Sequence, residues 1–286
     1  MEFRKLLKWM PDALYLKLLF RRRMGNKLNL KSPVTYNEKL QWLKLYNRKP
    51  IYTKMVDKYE VRKYIKDTIG EQYLIPLLGV YNNFNEIDFN TLPDQFVLKC
   101  THDSGGLVIC KDKQKLDFND VEKKINKSLK SNYYYPGREW PYKNVKPRII
   151  CEKYMDEISG EGLIDYKFMC FNGEVKCVLV CQNRNSSTGL NIDFYDSNWK
   201  LMPVKRPNLS NSGELVNKPI NYKKMIEYAE RLSKEIPFLR VDFYEIAGKL
   251  YFGELTFYPN SGFKGFNPES YDTLLGSWID IPIHKK

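Results

Sequence analysis

Three apolar stretches of the chain end in charged side chains that an ordinary core strand would not carry. In the first, Lys99 follows the apolar run 96–98 and precedes a small turn formed by Ser104, Gly105 and Gly106. A lysine beside a Gly-rich turn can bind phosphate, because the backbone N–H groups of the turn act as further donors. A surface hairpin with two glycines would have the same composition, so this motif alone leaves both interpretations open.

The second stretch, 149–155, carries Glu152 at the end of an apolar run. A carboxylate in that place can accept hydrogen bonds from a ribose or an amine. The alternative is an edge-strand carboxylate that pairs with Lys153 or Arg148.

The third stretch reads as a hairpin with Arg240 and Asp242 on one strand and Glu254 on its partner. Arg240 and Asp242 are two residues apart and therefore share a face of the strand. A turn at 247–248 can place Asp242 opposite Glu254, and two facing carboxylates repel each other unless a cation lies between them. Mg²⁺ bound by one or two carboxylates and by substrate phosphates meets that need. A general acid–base pair remains an alternative, as does a hairpin whose carboxylates pair with Arg240 and Lys249.

Taken in order, these motifs resemble the ATP-grasp superfamily, and within it the TupA-like branch found with surface-polysaccharide and teichuronopeptide genes. The resemblance extends from about residue 35 to 265, and its last two segments are the most specific. The matching segments are 57–58 with Arg62, 96–99, 104–106, 152–155, 165–168, 240–243 and 253–259.

The resemblance implies an ATP-grasp fold of the α+β class, in which two α+β subdomains clasp ATP. By the same resemblance, Lys58 and Lys99 bind the ATP phosphates, and the loop 101–106, with Ser104, Gly105 and Gly106, closes over them. Glu152 would accept a hydrogen bond from the nucleotide. The backbone of Lys153, Tyr154 and Met155 would contact the adenine.

The resemblance also implies a catalytic centre on the hairpin. Asp242 and Glu254 would bind Mg²⁺, and Arg240, with Lys99, would stabilise the phosphoryl group during transfer. Many family members carry asparagine two residues after the metal-binding glutamate, where this chain has Thr256, a weaker ligand. Asn260 lies nearby in the sequence and can substitute. Lys167, which the resemblance also groups with the nucleotide-binding residues, and Arg184 are candidates for binding the acceptor carboxylate.

The activity implied is an ATP- and Mg²⁺-dependent carboxylate–amine ligase that proceeds through an acyl phosphate. In the TupA-like branch the expected reaction joins an amino acid or amine to a uronic-acid carboxylate of a capsule, O-antigen or teichuronopeptide precursor. A kinase that phosphorylates a sugar hydroxyl is an alternative within the same fold. A glycosyltransferase is a second alternative, although the sequence contains no DxD metal motif.

The elements that would carry these residues can be predicted from pattern and turn signals. We expect strands at 96–98, 107–110 and 148–154, and hairpins around Asn172-Gly173 and Ala247-Gly248. Apolar periodicity predicts helices over 3–10, from Asp12 to Arg23, over 52–69, 117–131 and 222–235, and a capping box at Thr35 and Glu38 predicts another. The expected domains are a basic helical extension at 1–50 and ATP-grasp subdomains at 51–155 and 156–286.

The charge of the chain is concentrated at its beginning. The whole chain of 286 residues has a net charge of +13, and residues 1–31 contribute +7 of it, from nine basic and two acidic side chains. Clustering at one end argues against a nucleic-acid-binding module, in which basic residues interleave with aromatic ones along a groove. We expect residues 1–23 to dock on the anionic inner face of a membrane, or to pack their apolar face on the body.

Composition restricts the compartment and the kind of metal site. No stretch reaches the roughly 18 apolar residues of a membrane span, and basic residues interrupt the N-terminal apolar run, so a cytoplasmic protein is expected. The six cysteines are interpreted as reduced thiols of the core. With only two histidines, a structural zinc site is disfavoured, and any metal is expected to have oxygen ligands.

Overall fold

The structure is a computed structural model that describes residues 8–155, 163–183, 189–213 and 215–282. Its helices and two antiparallel sheets confirm the α+β class. The helices are α1 Asp12–Met24, α2 Tyr36–Tyr46, α3 Ile51–Val56, α4 Val61–Thr68, α5 Phe118–Leu129, α6 Tyr134–Gly137, α7 Tyr222–Ser233 and α8 Ser270–Ser277. The strands are β1 Leu77–Tyr81, β2 Phe96–Cys100, β3 Leu107–Cys110, β4 Ile149–Lys153, β5 Asp165–Phe171, β6 Glu174–Gln182, β7 Asn191–Asp196, β8 Phe238–Ile246 and β9 Lys249–Thr256. Short 3₁₀ turns occur at Glu71–Tyr73, Phe84–Glu86, Lys113–Lys115, Trp140–Tyr142 and Pro259–Gly262.

The chain divides into two compact units. One consists of Met1–Arg48 and Glu157–Lys286, and the other of Lys49–Asp156. The functional subdomains expected at 51–155 and 156–286, with an extension at 1–50, stay a prediction.

The unit formed by Lys49–Asp156 is built on a four-stranded antiparallel sheet of order β1-β4-β2-β3. The side chains of Phe96, Leu98 and Cys151 point to one face and form a core with Val121 and Ile125 of α5. Because side chains alternate along a strand, Lys99 and Glu152 belong to the opposite face. β4 lies between β1 and β2, so Glu152 is on a central strand and the alternative of an edge strand is wrong.

The other unit contains a five-stranded antiparallel sheet of order β7-β6-β5-β8-β9. Both predicted hairpins are present, β5–β6 around Asn172-Gly173 and β8–β9 around Ala247-Gly248. Helix α7 covers the face that carries Phe168 and Cys170, where Phe168 lies against Tyr222 and the Cys170 thiol against the carbonyl of Ala229. The opposite face carries the charged side chains of β5, β8 and β9, and Tyr36 of α2 packs on it against Phe171 and Phe238.

Helices α1 and α2 belong to the unit with the five-stranded sheet. α1 follows Pro11 and ends at Gly25, whose φ of 78° is the left-handed conformation typical of a helix C-cap. Its residues Leu16 and Phe20 are buried against Leu28 and Phe263. The capping box of α2 is confirmed. The helix predicted over 3–10 lies mostly outside the described residues.

The single helix predicted over 52–69 is wrong, because two helices, α3 and α4, occupy this range. The carboxylate of Asp57 accepts hydrogen bonds from the backbone N–H groups of Tyr59 and Glu60, which closes a local turn that competes with helix. The N–H of Lys58 is donated to the carbonyl of Thr101. The break therefore places Lys58 next to the Gly-rich loop.

The six cysteines are all buried and form no disulfides, which confirms the interpretation as core thiols. Burial raises the pKa of Cys100 and Cys181 to about 11 and that of Cys151, Cys170 and Cys177 to about 12, so the thiols stay protonated. None of the helices in the described part of the chain is both long and apolar enough to cross a membrane.

Candidate active site

The predicted residues of the second hairpin meet on the face of the five-stranded sheet opposite α7. Asp242 on β8 lies between Lys167 on β5 and Glu254 on β9, as direct partners across the strands. Arg240 binds both oxygens of Asp242, with Nε–Oδ1 and Nη2–Oδ2 distances of 2.7 Å. Lys167 adds a third contact, Nζ–Oδ2 at 2.6 Å, and also lies 3.1 Å from Asp165.

This cluster is held in its charged form by its own geometry. Asp242 is only 2% exposed. Burial by itself would raise the pKa of Asp242, but Arg240 and Lys167 outweigh burial and lower it below its ordinary value. Burial likewise works to lower the pKa of Arg240 and Lys167, and the neighbouring Asp242 raises both. The result is a preorganised row of charges that needs little rearrangement to meet an anionic substrate.

The hairpin offers oxygen ligands that fit Mg²⁺. The Oδ1 atom of Asp242 accepts one hydrogen bond and keeps a lone pair, and the side chain of Glu254 is 35% exposed, with its Oε2 atom 3.9 Å from Arg240. Mg²⁺ is commonly bound by one or two carboxylates together with substrate phosphates. Within the described ranges, no group of three or more His, Cys, Asp or Glu forms a ready-made cage. The donor set fits a metal ion that arrives with phosphate oxygens.

Thr256 lies in a different environment from the one expected of a metal ligand. It is the partner of Arg240 across β8 and β9, and its hydroxyl accepts a hydrogen bond from Arg240 at 2.9 Å. Asn260 has a φ of 50° in the turn Pro259–Gly262 and lines the same cavity as Lys167 and Arg240. The Thr256 hydroxyl therefore orients Arg240, while its role as a ligand stays a prediction.

The four-stranded sheet carries a second charged group. Glu152 is buried between two cations, with its Oε2 2.7 Å from Lys99 Nζ and its Oε1 3.1 Å from Arg62 Nη1. The sequence suggested a salt bridge from Glu152 to Lys153 or Arg148, and this alternative is wrong. Arg148 instead binds Asp57 and Glu60, each at 2.8 Å.

The loop after β2 is fixed by hydrogen bonds around Asp103. Its Oδ1 accepts from the N–H of Gly106 at 3.0 Å, its Oδ2 accepts from the hydroxyl of Ser128, and its carbonyl accepts from Lys58 Nζ. A Cβ at Gly106 would lie 2.4 Å from Ser128 Oγ and 2.6 Å from Cys100 Sγ, so this position requires glycine. Ser104 and Gly105 are exposed at the tip of the loop. The loop thus holds the Nζ of Lys58, which lies between α3 and α4, close to its two exposed residues.

Residues 153–155 follow directly on β4. The N–H of Lys153 is donated to the carbonyl of Pro76 at 2.9 Å, and Tyr154 lies under Lys111 at 5.7 Å from its ring centre. Tyr154 and Met155 are half-buried. Their contact with adenine stays a prediction.

The structure brings the predicted site residues together in two groups, one in each unit. Arg184 lies outside the described residues. Sequence reasoning missed the roles of Asp165, which lies beside Lys167 on β5, and of Arg62, which α4 brings to Glu152. It also missed Arg206, a buried arginine beside the charged cluster, for which the local sequence at 204–207 contains no motif.

Comparison with known proteins places the chain in a family. A family model described as TupA-like ATP-grasp matches residues 38–280. The chain therefore belongs to the TupA-like ATP-grasp family, and its fold is the ATP-grasp fold. No curated protein matches the sequence.

Solved structures with a similar fold include three ligases. A D-alanine–D-alanine ligase from Bacillus anthracis, complexed with ATP, is 15% identical, with a TM-score of 0.45, and the match covers 78% of this chain and 64% of that one. The corresponding enzyme from Helicobacter pylori is 14% identical, with coverage of 86% and 69% and a TM-score of 0.44. An L-amino acid ligase from Bacillus licheniformis is 12% identical, with coverage of 89% and 57% and a TM-score of 0.47. The chain spans less than two thirds of the length of the first and third of these enzymes.

Proposed function

We propose that the protein is an ATP- and Mg²⁺-dependent carboxylate–amine ligase that joins an amino acid or amine to a uronic-acid carboxylate of a surface-polysaccharide precursor. The observation that carries the proposal is the row Lys167, Asp242 and Glu254 across β5, β8 and β9, with Arg240 bound to Asp242. Such a row combines metal-binding carboxylates with cations that can stabilise a transferring phosphoryl group. Membership of the TupA-like ATP-grasp family supports it.

The proposed reaction balances in two steps. A carboxylate oxygen of the acceptor forms a bond to the γ-phosphorus of ATP, the bond to the β–γ bridging oxygen breaks, and ADP leaves. The amine nitrogen then forms a bond to the acyl carbon, inorganic phosphate leaves, and the nitrogen loses one proton. Bound Mg²⁺ would neutralise charge on the phosphate oxygens during the first step.

The chain's own residues supply positioning and positive charge. Arg240, held by Asp242 and Thr256, presents a fixed guanidinium, and a stabilising arginine contributes about 10³–10⁵ in rate to phosphoryl transfer. Lys167 adds a second buried cation in the same row. In the other unit, Lys99 and Lys58 are the proposed phosphate-binding lysines, and the ion pair with Glu152 fixes Lys99.

The reaction product tests the proposal against its alternatives. The protein is incubated with ATP, Mg²⁺, glucuronic or galacturonic acid, and a panel of amino acids, and products are identified by mass spectrometry. We expect ADP, free phosphate and an amide in equal amounts. A stable phosphosugar would instead establish a kinase, and transfer from a nucleotide-sugar without ATP would establish a glycosyltransferase.

A binding measurement provides a second, independent check. Ligand present at about 100 times its Kd stabilises a protein by roughly 2.7 kcal/mol, which shifts the melting temperature measurably. We expect a shift with ATP and Mg²⁺ together and none with nucleotide-sugars. The reverse pattern would contradict the ligase.

We further propose that the enzyme acts at the cytoplasmic face of a membrane through helix α1. Leu14 and Leu18 are about half exposed and lie on one face of α1 together with the exposed basic residues Lys17, Arg21 and Arg22. The opposite face of α1 packs on the rest of its unit through Leu16 and Phe20, which leaves the face with Leu14 and Leu18 for the proposed contact with the membrane. Each basic residue near an anionic leaflet contributes about 1 kcal/mol of binding.

Point variants test this surface better than truncation, because removing α1 would expose the core around Leu16 and Phe20. We expect the full chain to sediment with vesicles containing phosphatidylglycerol but not with neutral phosphatidylcholine vesicles. A Lys17→Gln, Arg21→Gln, Arg22→Gln variant should lose most of this binding. A matched variant that also loses three exposed lysines, Lys223→Gln, Lys224→Gln and Lys234→Gln, should keep it. Equal sedimentation of both variants would contradict the proposal.

A further inference from the structure

A cavity of about 160 Å³ lies on the face of the five-stranded sheet opposite α7, beside the charged side chains of Lys167, Arg240 and Asp242. Its polar side is formed by Lys167 and Arg240, and its apolar side by Met169, Leu179 and Ile192. The register explains this division, because Leu179 is the partner of Lys167 and Met169 is the partner of Arg240 across neighbouring strands. A cavity of about 150 Å³ admits a benzene-sized ligand, so this one has room for one small molecule.

Arg206 lines the same cavity and is only 3% exposed. Its Nη1 donates to the carbonyls of Lys264 and Gly265, at 2.8 and 3.1 Å, and its guanidinium lies 3.9 Å from the ring centre of Phe266. In the part of the chain that the structure describes, Arg206 forms no ion pair, and its Nε and Nη2 make no hydrogen bond. The nearby carboxylate of Asp272 acts on Arg206 only from a distance, since it accepts its hydrogen bonds from Asn37. A buried cation with no directly bound counter-charge is unfavourable, so the cavity is suited to receive an anion.

The shape and lining of the cavity restrict that anion. The planar guanidinium of arginine matches a carboxylate with two parallel hydrogen bonds. The apolar side formed by Met169, Leu179 and Ile192 suits a hydrocarbon side chain and offers little to the hydroxyl groups of a sugar. A polysaccharide precursor is also much larger than the cavity. The lining therefore fits a small amino acid, whose carboxylate and apolar side chain match the two sides.

We propose that this cavity is the binding site of the amine substrate, that this substrate is a small apolar α-amino acid, and that Arg206 binds its carboxylate. The inference rests on the proposed ligase function and narrows its amine substrate from any amine to an amino acid. Arg206 is a binding residue, and the amino group of the bound amino acid would lie toward Arg240 and Lys167, where the acceptor is activated.

Direct binding tests the site without requiring turnover. Racemic valine and isobutylamine, which is valine without its carboxylate, are titrated into the protein with ATP and Mg²⁺ present, and binding is followed by calorimetry. We expect valine to bind at least 10-fold more tightly than isobutylamine. Arg206→Met should weaken the binding of valine by about 10- to 100-fold, because a charge-assisted hydrogen bond is lost. The affinity for isobutylamine should stay unchanged. Equal binding of the two probes to the unchanged protein would overturn the proposal.

Two further variants separate recognition from folding. Arg206→Lys keeps the charge but loses the two-pronged geometry, and we expect an intermediate affinity for valine. Lys205→Met removes the neighbouring exposed cation and should change nothing. Arg206→Met can lower the melting temperature. The valine affinity of Arg206→Lys, whose melting temperature should stay near that of the unchanged protein, then tests the role of Arg206. Unaltered valine affinity in Arg206→Lys and Arg206→Met would overturn the inference.

Turnover distinguishes failure of this inference from failure of the ligase. If amide forms with uronic acid but valine and isobutylamine react with the same KM, the ligase stands and the assignment of the cavity is wrong. If Arg206→Met raises the KM for the uronic acid instead of that for valine, the cavity belongs to the acceptor. If no amide forms with any pair of substrates while valine binding depends on Arg206, the binding site stands and the ligase is wrong.

Discussion

Arg240 and Asp242 lie two residues apart on β8 and are joined by two hydrogen bonds of 2.7 Å. Both are largely withdrawn from solvent, and each keeps the other charged, since Asp242 raises the pKa of Arg240 and Arg240 lowers that of Asp242 against the effect of burial. The pair is a structural unit as well as a proposed catalytic one. The effect of a substitution in this pair on folding must therefore be measured separately from its effect on activity.

Replacing Arg240 should abolish turnover while ATP still binds. Arg240→Ala also leaves Asp242 with Lys167 as its remaining cation, and removal of one partner of a buried ion pair costs about 3–5 kcal/mol. We expect ATP affinity by calorimetry within about threefold of the unchanged protein and at least a 10³-fold loss of rate. Arg240→Lys, which keeps a charge, should restore stability but little activity. Full activity in Arg240→Ala would contradict the assignment.

The two carboxylates of the hairpin should respond differently to neutralisation. Asp242→Asn leaves two buried cations without a full counter-charge, whereas Glu254 is 35% exposed and is not needed for that balance. We expect Glu254→Gln to fold normally and to lose Mg²⁺-dependent ATP consumption. Asp242→Asn should lose activity and also about 2–4 kcal/mol of stability. The exposed Glu174→Gln on β6 is the matched control, and normal ATP consumption in both site variants would point to a purely structural hairpin.

The turn at Ala247-Gly248 shows how much of this hairpin could be predicted from the sequence. Ala247-Gly248 sets the register at the turn, where Ile246 pairs with Lys249, but that register alone would place Asp242 opposite Gly253. A bulge at Gly253 shifts the pairing by one residue and brings Glu254 opposite Asp242, so the turn predicts the hairpin but not this pair. The partner strand β5 comes from a distant segment, and nothing local indicates that Lys167 lies against Asp242. The same holds for Glu152 with Arg62, which are 90 residues apart in sequence.

The wrong prediction at 52–69 has a local cause. Apolar periodicity continued through the break, but the Asp57 carboxylate caps its own turn, and the Lys58 N–H pairs with Thr101. The burial of Arg206 could not be predicted either, because it depends on the packing of Phe194 and Phe266 around the side chain. Periodicity predicts elements well, whereas ion pairs and buried charges arise from contacts between segments.

The lowered pKa of Asp242 predicts the acid dependence of stability. A carboxyl group whose pKa is lower in the folded state than its ordinary value of 3.8 stabilises the fold above that value. The stabilisation is lost as the pH falls through the folded-state pKa. We expect urea unfolding to show a difference in stability between the unchanged protein and Asp242→Asn that is constant above about pH 5 and shrinks below 3.8. The exposed Asp67→Asn should show no such change, and a pH-independent difference for Asp242→Asn would contradict the pKa direction.

The two glycines of the loop after β2 should differ sharply in their tolerance of substitution by alanine. A Cβ at Gly106 would lie 2.4 Å from Ser128 Oγ, whereas at Gly105 the nearest atom, Asp103 Oδ2, is 3.8 Å away. Gly106→Ala must therefore displace Ser128 or Cys100, which costs about 1–3 kcal/mol in a packed site and shifts the loop that holds Lys58. We expect lower stability and at least 10-fold weaker ATP binding for Gly106→Ala. Gly105→Ala should leave stability and ATP binding unchanged, and equal effects of the two substitutions would show that the loop is not held as the hydrogen bonds of Asp103 indicate.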